Sequence, residues 1–288
     1  MVSDFKKDIL VSISCITYNH VQYIRQCLDS FLMQKTNFAF EILVHDDCST
    51  DGTTEIIKEY EKKYPNIIKP MYEKENQYQQ GKPIGSAIWN YPRARGKYIA
   101  LCEGDDYWID SFKLQRQVEF MELHPDYSLC FHNYFQLLPD KKLVAVTKNL
   151  ENASICSIYD AILTGGGYMG TNTMLFRATT ISNYPVWATR GVGDFPLMLI
   201  LFHLGKVAYL DFMGSVYRIN SIGSWSERMN DLKFLKEHFQ KTDAMLFDFD
   251  NWSNKKYHKI IFFKRCKNKL VKIKLIFKIR YGYSLKTF

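Results

Sequence analysis

The sequence predicts an α/β domain on an open, mostly parallel central sheet flanked by helices, followed by a basic helical segment. Three observations predict it. Strand-like and helix-periodic runs alternate through the first 123 residues. Three of the strands end in polar or acidic groups, at Thr17-Tyr18-Asn19, at Asp46-Asp47 and at Glu103 to Asp106. Open parallel sheets gather ligands beyond the carboxyl ends of their strands, so this coincidence argues for a site as well as a fold. The last 37 residues, from Trp252, carry twelve Lys/Arg and no Asp/Glu, while the 251 before them carry 26 basic and 30 acidic residues.

The elements follow in order. Val11 to Ile16 alternates apolar with small polar residues and reads as a strand, and Val21 to Met33 has helical spacing. Glu41 to His45 is a second strand, and Ser49-Thr50-Asp51-Gly52-Thr53 supplies N-cap types before a helix from Thr54 to Lys63. Ile67 to Tyr72 is a third strand. Residues 73–87 form a long polar loop, and Ile88 to Arg95 is short and broken by Pro92. A strand from Lys97 to Cys102, the acidic turn and a periodic helix from Ser111 to Leu123 complete this half.

The second half predicts strands at Ser128–Gln136, Leu143–Thr147, Asn172–Arg177, Ala208–Phe212 and Ser215–Arg218. Helices are expected at Tyr159–Leu163 and Phe195–Leu204, and helical spacing returns from Asp231. A chain of 288 residues accommodates one domain, set at residues 1–228, with a helical extension at 229–288. Residues 9–125 form its first half and 126–228 its second.

Composition narrows the class. With 47% hydrophobic and 24% charged residues, disorder is excluded. Seven cysteines without a CxxC pair read as free thiols of a reducing compartment. The polar Met1 to Asp8 leads straight into a strand, and the longest apolar run, near Phe195 to Leu204, is too short to span a bilayer. The protein is therefore expected in the cytoplasm.

Chemistry concentrates at Glu103-Gly104-Asp105-Asp106-Tyr107-Trp108. Three carboxylates within four residues repel one another and need a cation, a ligand or open water. A divalent metal on Glu103, Asp105 and Asp106, sharing charge with a diphosphate, meets that need; a solvated acidic turn is the plain alternative. With no HExxH or His/Cys cluster, the metal is expected to be oxygen-ligated Mn2+ or Mg2+. Asp194 stands before an apolar helix, either as a cap or as a base facing the same cleft. Gly165 to Gly170 matches GxGxxG by letter, but it follows a helix and opens none, so it reads as a loop. The histidines, apart from a buried His132 in a strand, carry no signal.

Val11 to Asn19, Asp46-Asp47 with Ser49 to Thr53, Arg95 to Ala100 and Glu103 to Trp108 occur in an order and spacing that resembles family 2 glycosyltransferases, the inverting GT-A group. The resemblance covers residues 9–125 well and 126–225 more loosely. It implies a GT-A-like fold and a nucleotide-diphosphate sugar donor, with a UDP-sugar favoured. Thr17, Tyr18 and Asn19 would lie by the base and ribose, and Asp46, with Asp47 beside it, would accept from the base imide. Asp105 and its neighbours would hold the metal on the diphosphate, and Asp194 would be the general base for attack on the anomeric carbon. The sequence departs from the family twice. Glu103 replaces the usual first aspartate, and Ser86-Ala87-Ile88 stands where Ala-Arg-Asn is common, which leaves Lys82 or Arg93 to supply positive charge to the nucleotide. Arg218 and the segment Ser221 to Ser226, with Trp225 for a sugar ring, would close over the diphosphate and acceptor.

A glycan or lipid-linked acceptor in bacterial surface polysaccharide synthesis is the expected product class. The basic tail interleaves cations with large apolar residues, which suits an anionic membrane surface, on the inner face of the plasma membrane, better than a partner or core-packing helix, and both better than nucleic acid. Two rivals remain: a nucleotidyltransferase, which should show a basic Gly-rich loop after the first strand, and a non-catalytic glycan-binding scaffold, which would have no need of Glu103, Asp105 and Asp194.

Overall fold

The computed structural model describes residues 8–81, 85–189, 192–221 and 225–281. The first half runs β1 (Ile9–Thr17), α1 (Ile24–Leu32), β2 (Ala39–Asp46), α2 (Thr53–Lys63), β3 (Ile68–Tyr72), the single turn α3 (Ser86–Trp89) and β4 (Tyr98–Leu101). The two-residue β5 (Tyr107–Trp108) and α4 (Lys113–Leu123) complete it. The second half continues β6 (Tyr127–Leu137), β7 (Leu143–Val146), β8 (Ser154–Ile155), α5 (Ile158–Thr164), β9 (Leu175–Arg177), α6 (Phe195–Leu204) and β10 (Lys206–Arg218). Then come α7 (Trp225–Arg228), α8 (Leu232–Trp252) and α9 (His258–Tyr281).

The ten strands among the described residues join one sheet in the order β3-β2-β1-β4-β9-β6-β10-β5, with β7 on β6 and β8 on β10. The expected parallel arrangement holds across β3-β2-β1-β4 and again between β6 and β10. Between these blocks β9 runs antiparallel to both β4 and β6, so the second half is mixed. The predicted strand from Asn172 begins only at Leu175, because Thr171–Thr173 form a 3-10 turn. The two strands expected at 208–212 and 215–218 are one, bulged around Met213. Gly214 sits there because a Cβ would come within 2.5 Å of the His132 ring.

Helices cover both faces. One core packs α1, α2 and α4 on the sheet through Leu28, Phe31, Ile57, Leu114 and Met121. The other packs α5, α6 and α8 through Ile162, Leu199, Leu246 and Phe249. The serines of β1 explain its alternation although both faces are buried. Ser12 donates to Glu41 at 2.7 Å and Ser14 to Ser86 at 2.8 Å, so the polar face accepts the crossing segment 86–96. Gly96 presses onto the β1 backbone, where a Cβ would lie 2.5 Å from the Ser12 nitrogen.

The helical extension is anchored in the second core. Asp231 caps α8 by accepting from the Phe234 amide at 2.7 Å, and Met245, Leu246 and Phe249 are buried. One bidentate contact, two hydrogen bonds of 2.7 Å each, joins Arg265 of α9 to Asp243 of α8. The buried Lys264 donates to the Leu163 and Thr164 carbonyls at the end of α5, at 2.9 and 3.3 Å.

A buried polar column braces the turn between β4 and α4. Lys113 is fully buried, its Nζ 4.0 Å above the Trp108 ring and 2.7 Å from Gln117 Oε1. Burial lowers its pKa to about 7. An ammonium depressed in the folded state makes stability fall as pH drops from the unfolded value of about 10.4 toward 7. We therefore expect the protein to lose about 2 kcal/mol between pH 9 and pH 7 through this group. Denaturant titrations of Lys113→Met at both pH values should show that slope removed; an unchanged slope would mean the lysine is charged throughout.

Candidate active site

The polar strand ends meet at one edge of the sheet. Gly104 packs on Thr17, where a Cβ would lie 2.6 Å from the hydroxyl, and its amide donates to the Ile16 carbonyl at 2.9 Å. The acidic turn therefore rests directly on the end of β1. Thr17 Oγ1 lies 3.0 Å from His20 Nδ1. Asn19 takes a left-handed φ of 54°; its amide donates to Ser49 Oγ at 2.9 Å and its Oδ1 accepts from the Thr50 amide at 2.8 Å. Tyr18 is half-buried beside them.

Asp46 and Asp47 are buried and occupied. Asp46 accepts from the Ser49 amide and hydroxyl and from the Thr54 hydroxyl. Asp47 accepts from the Gln77 and Tyr78 amides at 2.7 and 3.2 Å, which fastens the long loop after β3. Lys82 lies outside the described residues. The Arg93 guanidinium is taken up by the Lys69 and Val44 carbonyls at 2.7 and 3.0 Å.

Glu103, Asp105 and Asp106 each offer an oxygen, all within 4.8 Å of one another. Burial first, then neighbouring carboxylates, push Glu103 and Asp106 well above the usual carboxylate range. Asp106 is the most enclosed: Oδ1 accepts from the Arg218 amide at 2.9 Å and Oδ2 from Asn172 Nδ2 at 3.1 Å. Asp105 Oδ2 accepts from the Ser221 hydroxyl at 2.6 Å. The Arg218 side chain lies between the Tyr23 and Tyr107 rings, 4.8 and 4.7 Å from their centroids. It donates to the Asp105 carbonyl and to Gln26 Oε1, fixing the turn to β10 and α1. An all-oxygen donor set with unbalanced charge fits a hard divalent cation.

Asp194 precedes α6 but does not cap it with its side chain. Its carboxylate instead accepts from the Thr171 hydroxyl. Burial pushes its pKa up, and its charge raises that of Glu103, so the structure brings it to the acidic turn. Tyr91 and Tyr184 stand close enough to feel Asp194, and Tyr91 and Tyr217 to feel Glu103, although burial is the larger cause of their raised pKa values.

Trp225, half exposed at the start of α7, meets the His238 ring edge-on at 5.3 Å. Residues 222–224 between it and Ser221 lie outside the described residues. Sequence reasoning missed three groups here. His20 sits among Asp46, Asp51 and Asp105, its pKa lowered by burial. Arg228, three residues past Trp225, brings a positive charge to Glu103 and stacks 4.8 Å over the Tyr78 ring. Thr171 holds the Asp194 carboxylate. The acidic cluster itself was the available signal for Arg228, since buried like charges require a cation nearby.

A family model described as glycosyl transferase family 2 matches residues 12–177. An uncharacterised protein of Mycobacterium tuberculosis is 34% identical over 227 residues, covering 77% of this chain and 62% of its own length. The chain thus spans less than two thirds of that relative. The Escherichia coli UDP-Glc:alpha-D-GlcNAc-diphosphoundecaprenol beta-1,3-glucosyltransferase WfaP is 34% identical over 126 residues, covering 44% of this chain and 46% of its own. Among solved structures, S. aureus TarS 1-349 with UDP-GlcNAc superposes with a TM-score of 0.59 at 16% identity, covering 96% of this chain and 93% of that one. The mannosyltransferase PcManGT of Pyrobaculum calidifontis, with GDP-Man and Mn2+, gives 0.55 at 14%, covering 92% and 74%. These superpositions establish a GT-A fold. The family match spans more than half of the sequence, and the chain belongs to glycosyl transferase family 2.

Proposed function

We propose that this glycosyltransferase is inverting and metal-dependent, moving a sugar from a nucleotide diphosphate, with UDP favoured, to a hydroxyl of a glycan or lipid-linked acceptor. Surface polysaccharide synthesis at the inner face of a membrane is the setting that the basic tail and a relative named for a diphosphoundecaprenol acceptor support. The observation that carries the reading is the pairing of two acidic features: three mutually repelling carboxylates after β4, and an Asp194 carboxylate that its own helix does not use.

Glu103 and Asp105 would hold Mn2+ or Mg2+, with Asp106 orienting the turn because both its oxygens are already hydrogen-bonded. The cation, when bound, neutralises charge on the diphosphate leaving group. Thr17, Tyr18, Asn19 and Asp46 would line the nucleoside end. Asp194 takes the proton of the acceptor hydroxyl as its oxygen attacks the anomeric carbon. The bond from that carbon to the diphosphate breaks on the opposite face, and the configuration inverts. Thr171 would hold the carboxylate toward the acceptor hydroxyl and Trp225 would lie over the acceptor, while Arg218, buried between Tyr23 and Tyr107, would act by bracing the acidic turn.

Asp194→Asn should lower transfer by about a thousandfold or more while leaving donor binding intact, measured as sugar transfer alongside thermal stabilisation by UDP-sugar. An active variant would sink the base assignment. Because burial raises the Asp194 pKa and the carboxylate is the working form, the rate falls as pH drops. The acid limb of kcat/KM should therefore lie above the ordinary carboxylate range, and a limb near pH 4 would contradict it. UDP with Mn2+ at 100 times its dissociation constant should add about 2.7 kcal/mol of stability. Asp105→Asn should abolish the metal-dependent part; a shift in the variant equal to that of the unsubstituted protein would move the metal elsewhere.

A further inference from the structure

Helix α9 has two unlike faces. Ile261 and Lys264 are buried against the domain, and Arg265 pairs with Asp243 of α8. Phe263, Cys266, Leu270 and Ile273, at spacings of three and four residues, form a stripe on the opposite face, with Phe262 at its edge. Phe262, Phe263, Leu270 and Ile273 are 63%, 57%, 63% and 52% exposed. Exposed Lys267 and Lys274 run along one side of the stripe and exposed Lys269 along the other. No described helix is long and apolar enough to cross a membrane.

We infer that this stripe is the surface by which the protein lies on an anionic lipid bilayer, with the two phenylalanines, Leu270 and Ile273 in the headgroup boundary and the lysines on lipid phosphates. The inference rests on the peripheral-membrane reading above and names the surface responsible. Charge selects the occupant. A second copy of the helix would set lysine rows against each other, and no acidic residue follows Asn251 to neutralise them. Two of the acids of neighbouring α8 are engaged within the chain, Asp243 on Arg265 and Asp250 on His258, both at 2.7 Å. A row of large apolar groups between flanking cations matches an interfacial helix, where apolar insertion and attraction to anionic headgroups add.

Co-sedimentation with phosphatidylcholine vesicles, with and without phosphatidylglycerol, tests the inference on the full chain. The protein should pellet only with the mixed vesicles, and added salt should release it. Phe263→Ser with Leu270→Ser and Ile273→Ser should weaken binding by about tenfold or more, as should Lys267→Glu with Lys274→Glu. Both variants should keep the UDP-induced thermal shift, which reports the donor site separately and fails by itself if the donor reading is wrong. Unchanged vesicle binding in either variant overturns the inference. So does light scattering that shows a dimer abolished by the serine substitutions, which would make the stripe a seam between copies. Binding to RNA in place of vesicles overturns it equally.

Discussion

Three carboxylates within 4.8 Å of one another must be held together against their own repulsion, and much of the fold is arranged around that demand. Asp106 is clamped by the Arg218 amide and by Asn172, and Asn172 is itself fixed by Ser215 at 3.0 Å. Below the turn, Trp108 donates to the Asn172 carbonyl at 3.0 Å and lies under the buried Lys113. Arg218 adds a guanidinium braced by two aromatic rings, and Arg228 a second positive charge. These partners come from β10, from the turn before β9 and from α7, so the second half of the chain completes a site that the first half begins. A hydrogen-bonded, partly neutralised acid cluster supports the proposed cation site over a solvated turn.

The first half was legible because its signals are local. Apolar runs bounded by caps and strand-end polar residues fixed the four parallel strands and placed Thr17, Asp46 and Glu103 at one edge. What escaped was set by contacts distant in sequence. Nothing in Asn172 to Arg177 announces that its first two residues will join Thr171 in a 3-10 turn that brings Asn172 under Asp106. The apparent break at Met213-Gly214 reads as a gap between strands until His132 on β6 is known to press against it. His20 has no local distinction either, and becomes a site residue only when β2 and β4 deliver Asp46 and Asp105 around it.

The extension shows the same division. Its helical spacing and charge were plain in the sequence, but its attachment was not. Phe249 in the second core and Lys264 on the last carbonyls of α5 make α8 and the start of α9 part of the domain's packing. Gly165 follows those carbonyls, so the glycine loop read as a false nucleotide motif begins where α9 is fastened. Its glycines admit a lysine tip, whose Nζ would lie 3.2 Å from a Cβ on Gly165.

Helix α6 begins without a side-chain cap although an aspartate stands in the capping position. A cap contributes about 1 kcal/mol, which the helix forgoes. Eight of its ten side chains are buried, so its place is secured by packing from every side. That surplus is what releases the carboxylate to Thr171 and the cleft. Under the base role proposed for Asp194, evolution toward greater thermal stability and evolution toward faster turnover pull this one side chain in opposite directions. Under that role, a carboxylate turned back to seal the helix would make a sturdier protein and a poorer catalyst.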